Sequence, residues 1–228
     1  MWEEDELIFE DTVGLQSKKA VVMVGRFQPP TAAHYKVIDL MKKFQRNNKG
    51  VEPIVVIVAG AKSSKDHQKN PLSAEDRVKF IQASGKANGV KIITAGSAFA
   101  AFEEVRKLGY EPYAIAAGSD RAKGYIEMLD KYFTGPDGEK QKHVVMGGLE
   151  ERSDPDDDGT PSEEILELAE KGQDIPMFLM SGSMARLAVK LGYKKAFAKI
   201  LGVDQKLSDI VFKKLADALA EPVEKKDV

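Results

Sequence analysis

The chain has 228 residues, 43% of them hydrophobic and 31% charged, a balance that belongs to an ordinary globular protein with one sizeable core. A formal net charge of −2 and a pI near 6.0 give no global attraction to nucleic acid or to an anionic membrane, so a polyanion must be bound locally. There is no cysteine, which excludes disulfides, thiolate metal sites and cysteine nucleophiles and fits a reducing compartment.

Residues 1–17 are acidic where a signal peptide would be basic, and read as a loosely attached leader in which Trp2, Leu7, Ile8 and Phe9 could pack. No later run approaches the length of a membrane span, and a cytoplasmic location is the expectation. The run AVVMVG (20–25) reads as a buried strand, too short and too rich in Val for a helix. Pro29-Pro30 then forces an extended turn, and Thr31 opens a helical stretch, AAHYKVIDLMKKF. Further strands are expected at 52–60, 90–96, 111–118 and 143–148, with a short sixth at 175–180. Helical patterns occupy 73–87, 97–109 and 121–133 between them. Ser73 with Asp76 forms an approximate capping box, and Gly109 is a C-terminal stop.

From Ser181 onward the chain reads as three helices, broken at Gly192 and Gly202. Loops are expected at 134–142 and at the acidic stretch 150–174, and the end EPVEKKDV is charged. Strands alternating with helices of this length predict an α/β fold with a doubly wound parallel sheet. Continuous rather than alternating apolar strands predict a sheet covered on both faces. The expected organisation is a leader at 1–17, an α/β domain at 18–192 and a C-terminal helical extension at 193–228.

In an open parallel sheet, ligands sit outside the C-terminal strand ends where strand order reverses. Four polar or glycine-rich stretches follow predicted strands: GRFQPPTAAH (25–34), GAKSSKDHQKNPLS (60–73), AGSDR (117–121) and SGSMAR (181–186). Singly each is ordinary. Gly-Ser-Asp is a common turn, Ser181-Gly182-Ser183 a common helix cap, and Lys62 and Lys65 ordinary loop charges. Together they put a histidine, several cations, two helix N-termini and one acid on one edge, the inventory for a nucleoside triphosphate.

GRFQPPTAAH with the downstream SGSMAR resembles the paired motif of the nucleotidylyltransferase superfamily, Gly-x-Phe-x-Pro-x-(His/Thr)-x-x-His and Ser-(Ser/Gly)-(Thr/Ser)-x-x-Arg. The opening Gly-Arg-Phe-Gln-Pro is closest to nicotinamide-mononucleotide adenylyltransferases of the archaeal type. KNPLSAEDR (69–77) and AGSDR are similar to further segments of that branch, so four segments in order span roughly residues 20–192.

The resemblance implies a Rossmann-like nucleotidylyltransferase fold and transfer of AMP from ATP to a phosphate-bearing acceptor, with a role in NAD biosynthesis. It implies that His34, Arg26 and Arg186 stabilise the phosphates and that Thr31 aligns the acceptor phosphate. Gly25 and Phe27 would line the triphosphate with backbone, Gly118 and Asp120 would hold the ribose, and Ser181 and Ser183 would cap the late helix toward the phosphates. Asn70, Arg77 and Lys62 match the acceptor side. Mg²⁺ would be held mainly by the triphosphate, with ATP as co-substrate and no dedicated protein metal site.

The departures are Thr31 where many members carry His, Ala33 for the usual Gly, and no Trp near the acceptor pocket. Base stacking would then fall to Phe99, Phe102 or Tyr125. A cytidylyltransferase, an adenylyltransferase with another acceptor, and a non-catalytic nucleotide-binding module are the competing readings. The partners expected are small-molecule nucleotides, with no nucleic acid and no membrane; a homo-oligomer is left open.

Other signals are weaker. The Asp154–Gly159 stretch resembles half of a calcium loop, but Ile165 stands where a bidentate Glu is needed. His67 and His143 read as exposed or structural. No Gly-x-Ser-x-Gly elbow occurs. Lys190, Lys194, Lys195 and Lys199 read as a solvated helix face.

Overall fold

Lys18–Gly25 forms strand β1, and its neighbours fix the whole sheet. The computed structural model describes residues 18–60, 66–117, 119–133, 144–145 and 163–220, of which 119–121 and 144–145 are described for the backbone. On one side β1 pairs in parallel with β2 (Val51–Val58), from Lys19 opposite Val51 to Gly25 opposite Ile57. Beyond it β3 (Lys91–Ala95) pairs with β2 from Ile54 onward. Pro53, which has no N–H to donate, therefore lies just before the part of β2 that has neighbours on both sides.

On its other side β1 pairs with β4 (Tyr110–Ile115), and β4 pairs with the two-residue β5 (Val144–Val145). The register slips between Ala20 and Val21: Ala20 faces Pro112 and Val21 faces Ala114, leaving Tyr113 unmatched as a bulge. The order is β3-β2-β1-β4-β5, parallel throughout. Strand order reverses between β1 and β4, so the loop after β1 opens at the switch point. The fold is the expected α/β type, a parallel sheet with helices on both faces.

Alternation along β1 feeds both faces. Val21 and Met23, with Val55 and Ile57, pack on Tyr35, Ile38 and Met41 of α1 (Ala32–Asn47) and on Ile81 of α2 (Ala74–Ala83). Ala20, Val22 and Val24, with Ile54, Val56 and Ile115, pack on Ala101, Phe102 and Val105 of α3 (Ala98–Lys107) and on Leu129 of α4 (Ser119–Tyr132). Covering both faces is what makes the strands read as unbroken apolar runs.

A third cluster belongs to the C-terminal helices α5 (Glu163–Glu170), α6 (Gly182–Leu191), α7 (Lys194–Leu201) and α8 (Gln205–Ala220), and takes in Leu72 and Phe80. Two helices cap each other here. Lys195 N and Ala196 N at the start of α7 donate to Glu170 Oε2 at 2.8 and 2.9 Å, and Lys199 Nζ donates to Gly172 O and Gln173 O just past α5 at 2.7 and 2.6 Å. Among the described residues no helix is long and apolar enough to cross a membrane.

Two expectations are corrected. Residues 175–180 are not a strand: Pro176 precedes a single 3₁₀ turn, Met177–Leu179, and of the run only Ile175 is buried. No sheet edge receives it, because Ile175 packs into the helical cluster. The acidic stretch 150–174 is not loop over its second half, since 163–170 is α5. Leu166 and Ala169 lie three apart on its buried face and Glu163-Glu164 favour a helix start, a pattern masked by the surrounding charge. The leader 1–17 and the loop 134–142 lie outside the described residues.

Candidate functional site

The loop after β1 is built under constraint. Phe27 holds φ 53, a left-handed value uncommon for a bulky residue, and the Gln28–Pro29 peptide is cis. Phe27 is 1% exposed and lies against the His34 imidazole, ring centroids 4.7 Å apart. A Cβ on Gly25 would come 3.0 Å from the Phe27 ring, so glycine there makes room for this arrangement. The left-handed backbone at Phe27 is the strained feature here; such strain persists only where surrounding contacts over-determine it.

The over-determining contacts come from three directions. Gln28, buried, clamps Leu72 at both backbone groups: Nε2 donates to Leu72 O at 2.8 Å and Oε1 accepts from Leu72 N at 2.9 Å. Arg77, 4% exposed, donates through Nη1 to Arg26 O at 2.7 Å and Val58 O at 2.8 Å, and through Nε to Ser73 O at 3.0 Å. Arg186 Nη1 donates to Gln28 O at 2.6 Å and its Nη2 to Ser183 Oγ at 3.1 Å. The N-terminus of α6 closes on the same carbonyl: a Cβ on Gly182 would lie 2.6 Å from Gln28 O. Two stretches 158 positions apart thus meet at one backbone oxygen.

Thr31 is the N-cap of α1. Its backbone N–H donates to His34 Nδ1 at 3.1 Å, and its hydroxyl lies 2.8 Å from the same nitrogen. An Nδ1 that accepts carries no proton, so the neutral ring is protonated at Nε2, a donor fitted to an anion. On α6, Ser181 Oγ caps the helix by accepting from Met184 N at 3.2 Å. Both helix starts lie at the C-terminal edge of the sheet and add N–H dipoles to it.

Burial lowers the Arg77 pKa to about 10, and no carboxylate among the described residues pairs with it. A cation buried on carbonyls alone leaves uncompensated positive charge beneath the loop. Asn70 Oδ1 is the one buried side-chain polar atom among the described residues with no hydrogen-bond partner, while its Nδ2 makes a long 3.4 Å bond to Asp66 O. No group of three or more His, Asp or Glu side chains that could hold a metal occurs among the described residues. The donors gathered here are N–H and cationic groups, the kind that suit an anion such as phosphate.

Of the residues singled out in the sequence, Gly25, Arg26, Phe27, Thr31, His34, Ser181, Ser183 and Arg186 belong to or meet this loop and Arg77 lies beneath it, whereas Asn70 hydrogen-bonds to Asp66 in its own segment. Gly118, Lys62 and the Asp120 side chain lie outside the described residues. Of the rings considered for stacking, Phe102 is fully buried in the core against α4 and is spent there, whereas Phe99 is 37% exposed. Sequence reasoning missed the Gln28 clamp, though a buried Gln between Phe27 and a Pro-Pro pair is unusual enough to invite the question. It also missed the tight approach of Gly60 to Gly96, where a Cβ would lie 1.8 Å from Gly96 O. Nothing local in the sequence signals that one.

Residues 22–130, just under half of the chain, match the family model described as Cytidylyltransferase-like. No curated protein matches the chain. Among solved structures, the chain is similar to a macrolide-efflux protein from Streptococcus pneumoniae, at 18% identity and a TM-score of 0.44, over 82% of this chain and 66% of that one, just under two thirds of its length.

Proposed function

We propose that the protein transfers AMP from ATP to a phosphate-bearing acceptor, with nicotinamide mononucleotide the acceptor we favour, and releases pyrophosphate. The observation that carries this is the junction at Gln28 O, where Arg186 of the late motif binds the loop that holds Phe27, Thr31 and His34. In the reaction, an oxygen of the acceptor phosphate attacks the α-phosphorus of ATP while the bond to the β-phosphate oxygen breaks. The nucleophile is already an anion, so no general base is needed. Positioning and stabilisation of phosphoryl charge do the rest.

Each residue then has a task. His34 donates from Nε2 to a phosphoryl oxygen, held in that tautomer by the Thr31 N–H. Arg26 and Arg186 add positive charge, and Thr31 orients the acceptor phosphate. Gly25 and Phe27 offer backbone to the triphosphate, Ser181 and Ser183 shape the α6 end, and Gly118 and Asp120 hold the ribose. Asn70 and Lys62 serve the acceptor. Arg77, engaged with three carbonyls, supports the rim from below and contributes its buried charge to the acceptor side. Mg²⁺ bound to the triphosphate supplies further charge neutralisation.

The family description favours one alternative, cytidylyl transfer. Incubation with ATP or CTP, Mg²⁺ and a panel of phosphorylated acceptors, followed by pyrophosphate detection, separates the readings. Release with ATP and nicotinamide mononucleotide is expected. Release with CTP alone would replace the adenylyl reading by the cytidylyl one. ATP binding by calorimetry with no pyrophosphate under any acceptor would make the protein a nucleotide-binding module.

A further inference from the structure

Gly202 follows α7 in a left-handed conformation (φ 62, ψ 33) and turns the chain toward α8. Its Cα faces the first residue of α1: a Cβ at Gly202 would lie 2.7 Å from Ala32 Cβ and 3.4 Å from Ala32 Cα. Real Cβ atoms do not approach that closely, and the obstacle is a helix start rather than a flexible side-chain tip. The next residue, Val203, packs into both the helical cluster and the α1 face of the sheet, so the corner cannot simply swing away. Ala32 is bonded to Thr31, whose N–H holds His34 Nδ1 at 3.1 Å.

We propose that Gly202 is a positioning residue: the α7–α8 corner is a stop against which the first turn of α1 is seated, and this stop sets how Thr31 and His34 meet the phosphates. The inference rests on the nucleotidyl-transfer reading for its effect on rate, but its geometric content stands apart from it. A glycine in a left-handed helix cap would be expected whatever lay opposite. Gly192, which ends α6 at φ 75 with nothing within 4 Å of a built Cβ, supplies the control, because it has the same backbone demand without the contact.

Five variants test this: Gly192→Ala, Gly202→Ala, Ala32→Gly, the double variant Gly202→Ala/Ala32→Gly, and Gly202→Asn, whose left-handed backbone is better tolerated. Melting temperature, kcat/KM for pyrophosphate release and the backbone amide NMR shifts of Thr31, Ala32 and His34 are measured for each. Gly192→Ala is expected to lower the melting temperature while leaving rate and those shifts unchanged. Gly202→Ala and Gly202→Asn are expected to move the shifts and to lower kcat/KM by about tenfold to a hundredfold, the scale of a small misplacement of catalytic groups. Removing the Ala32 methyl should restore both in the double variant relative to Ala32→Gly alone. The proposal is overturned if Gly202→Asn behaves like Gly192→Ala, or if the double variant recovers nothing. Should the wild-type protein release no pyrophosphate from any substrate pair, the functional reading falls, and the seating of α1 is still decided by the amide shifts.

Discussion

His34 is restrained on two sides, by the Thr31 N–H at Nδ1 and by the Phe27 ring 4.7 Å from its own. The sheet core is made by other side chains, so His34→Ala should still fold, with a lowered melting temperature for the lost packing on buried Phe27. It should lose about 10²–10³ in turnover, the usual cost of one donor to developing phosphoryl charge. Near-normal pyrophosphate release by a folded His34→Ala would remove the imidazole from the mechanism. One position along, Tyr35 behaves differently. It is 3% exposed, and burial pushes its pKa up to about 12. Its folded-state pKa lies above the unfolded value of 10.0, so the folded protein holds the proton more tightly, and stability falls as pH rises between about 10 and 12. Tyr35→Phe should therefore lose less stability than wild type in alkaline melts. An equal alkaline loss in both would assign that sensitivity elsewhere. At this scale the motif residues were legible because residue type and spacing carry them. The Phe27 backbone was not, since φ 53 on a phenylalanine is imposed by contacts from Leu72, Arg77 and Arg186 and has no local preference behind it.

Elements were legible where an apolar run met a clear stop. β1 ends at Gly25, α3 starts at the Ser97 cap, and Leu108 and Gly109 close it, all within a residue or two of expectation. The failures have one cause: a short apolar run does not say whether a sheet or a helix layer receives it. Residues 175–180 were taken by the helical cluster. The helix at 163–170 was hidden because its buried face is only a few residues wide inside an acidic tract. That helix has a measurable role. The carboxylate of Glu170 caps the first turn of α7 through two N–H groups, so Glu170→Ala should cost about 1 kcal/mol and lower the melting temperature by about 2–4 °C. Turnover should change less than stability, since the cap is at the opposite end of α7 from the Gly202 corner that meets Ala32. An unchanged melting curve would mean that water replaces the cap at no cost.

Across the whole molecule, the decisive contacts cross between layers. The helical cluster joins Leu166 of α5, Met184 and Ala188 of α6, Phe197 and Ile200 of α7 and Val211 and Leu215 of α8, and reaches Leu72 and Phe80 near the Gln28 clamp. Sequence alone suggested a boundary after residue 192, because Gly192 is a genuine stop, with φ 75. A stop in the backbone does not end a core, however. Truncation after Gly192 would expose the inner face of α6, the helix that presents Ser183 and Arg186 to the loop. Each large side chain of the cluster stripped of its neighbours forfeits about 1.5–3 kcal/mol of burial, and a domain's whole stability is only about 5–15 kcal/mol. The truncated protein should therefore lose cooperative melting, bind a hydrophobic dye and fail to bind ATP in calorimetry, although every motif residue is still present. If it instead melts cooperatively near the wild-type temperature and still binds ATP, the helices after residue 192 are a true appendage. The seating of α1 against Gly202 would then have no bearing on the phosphate site.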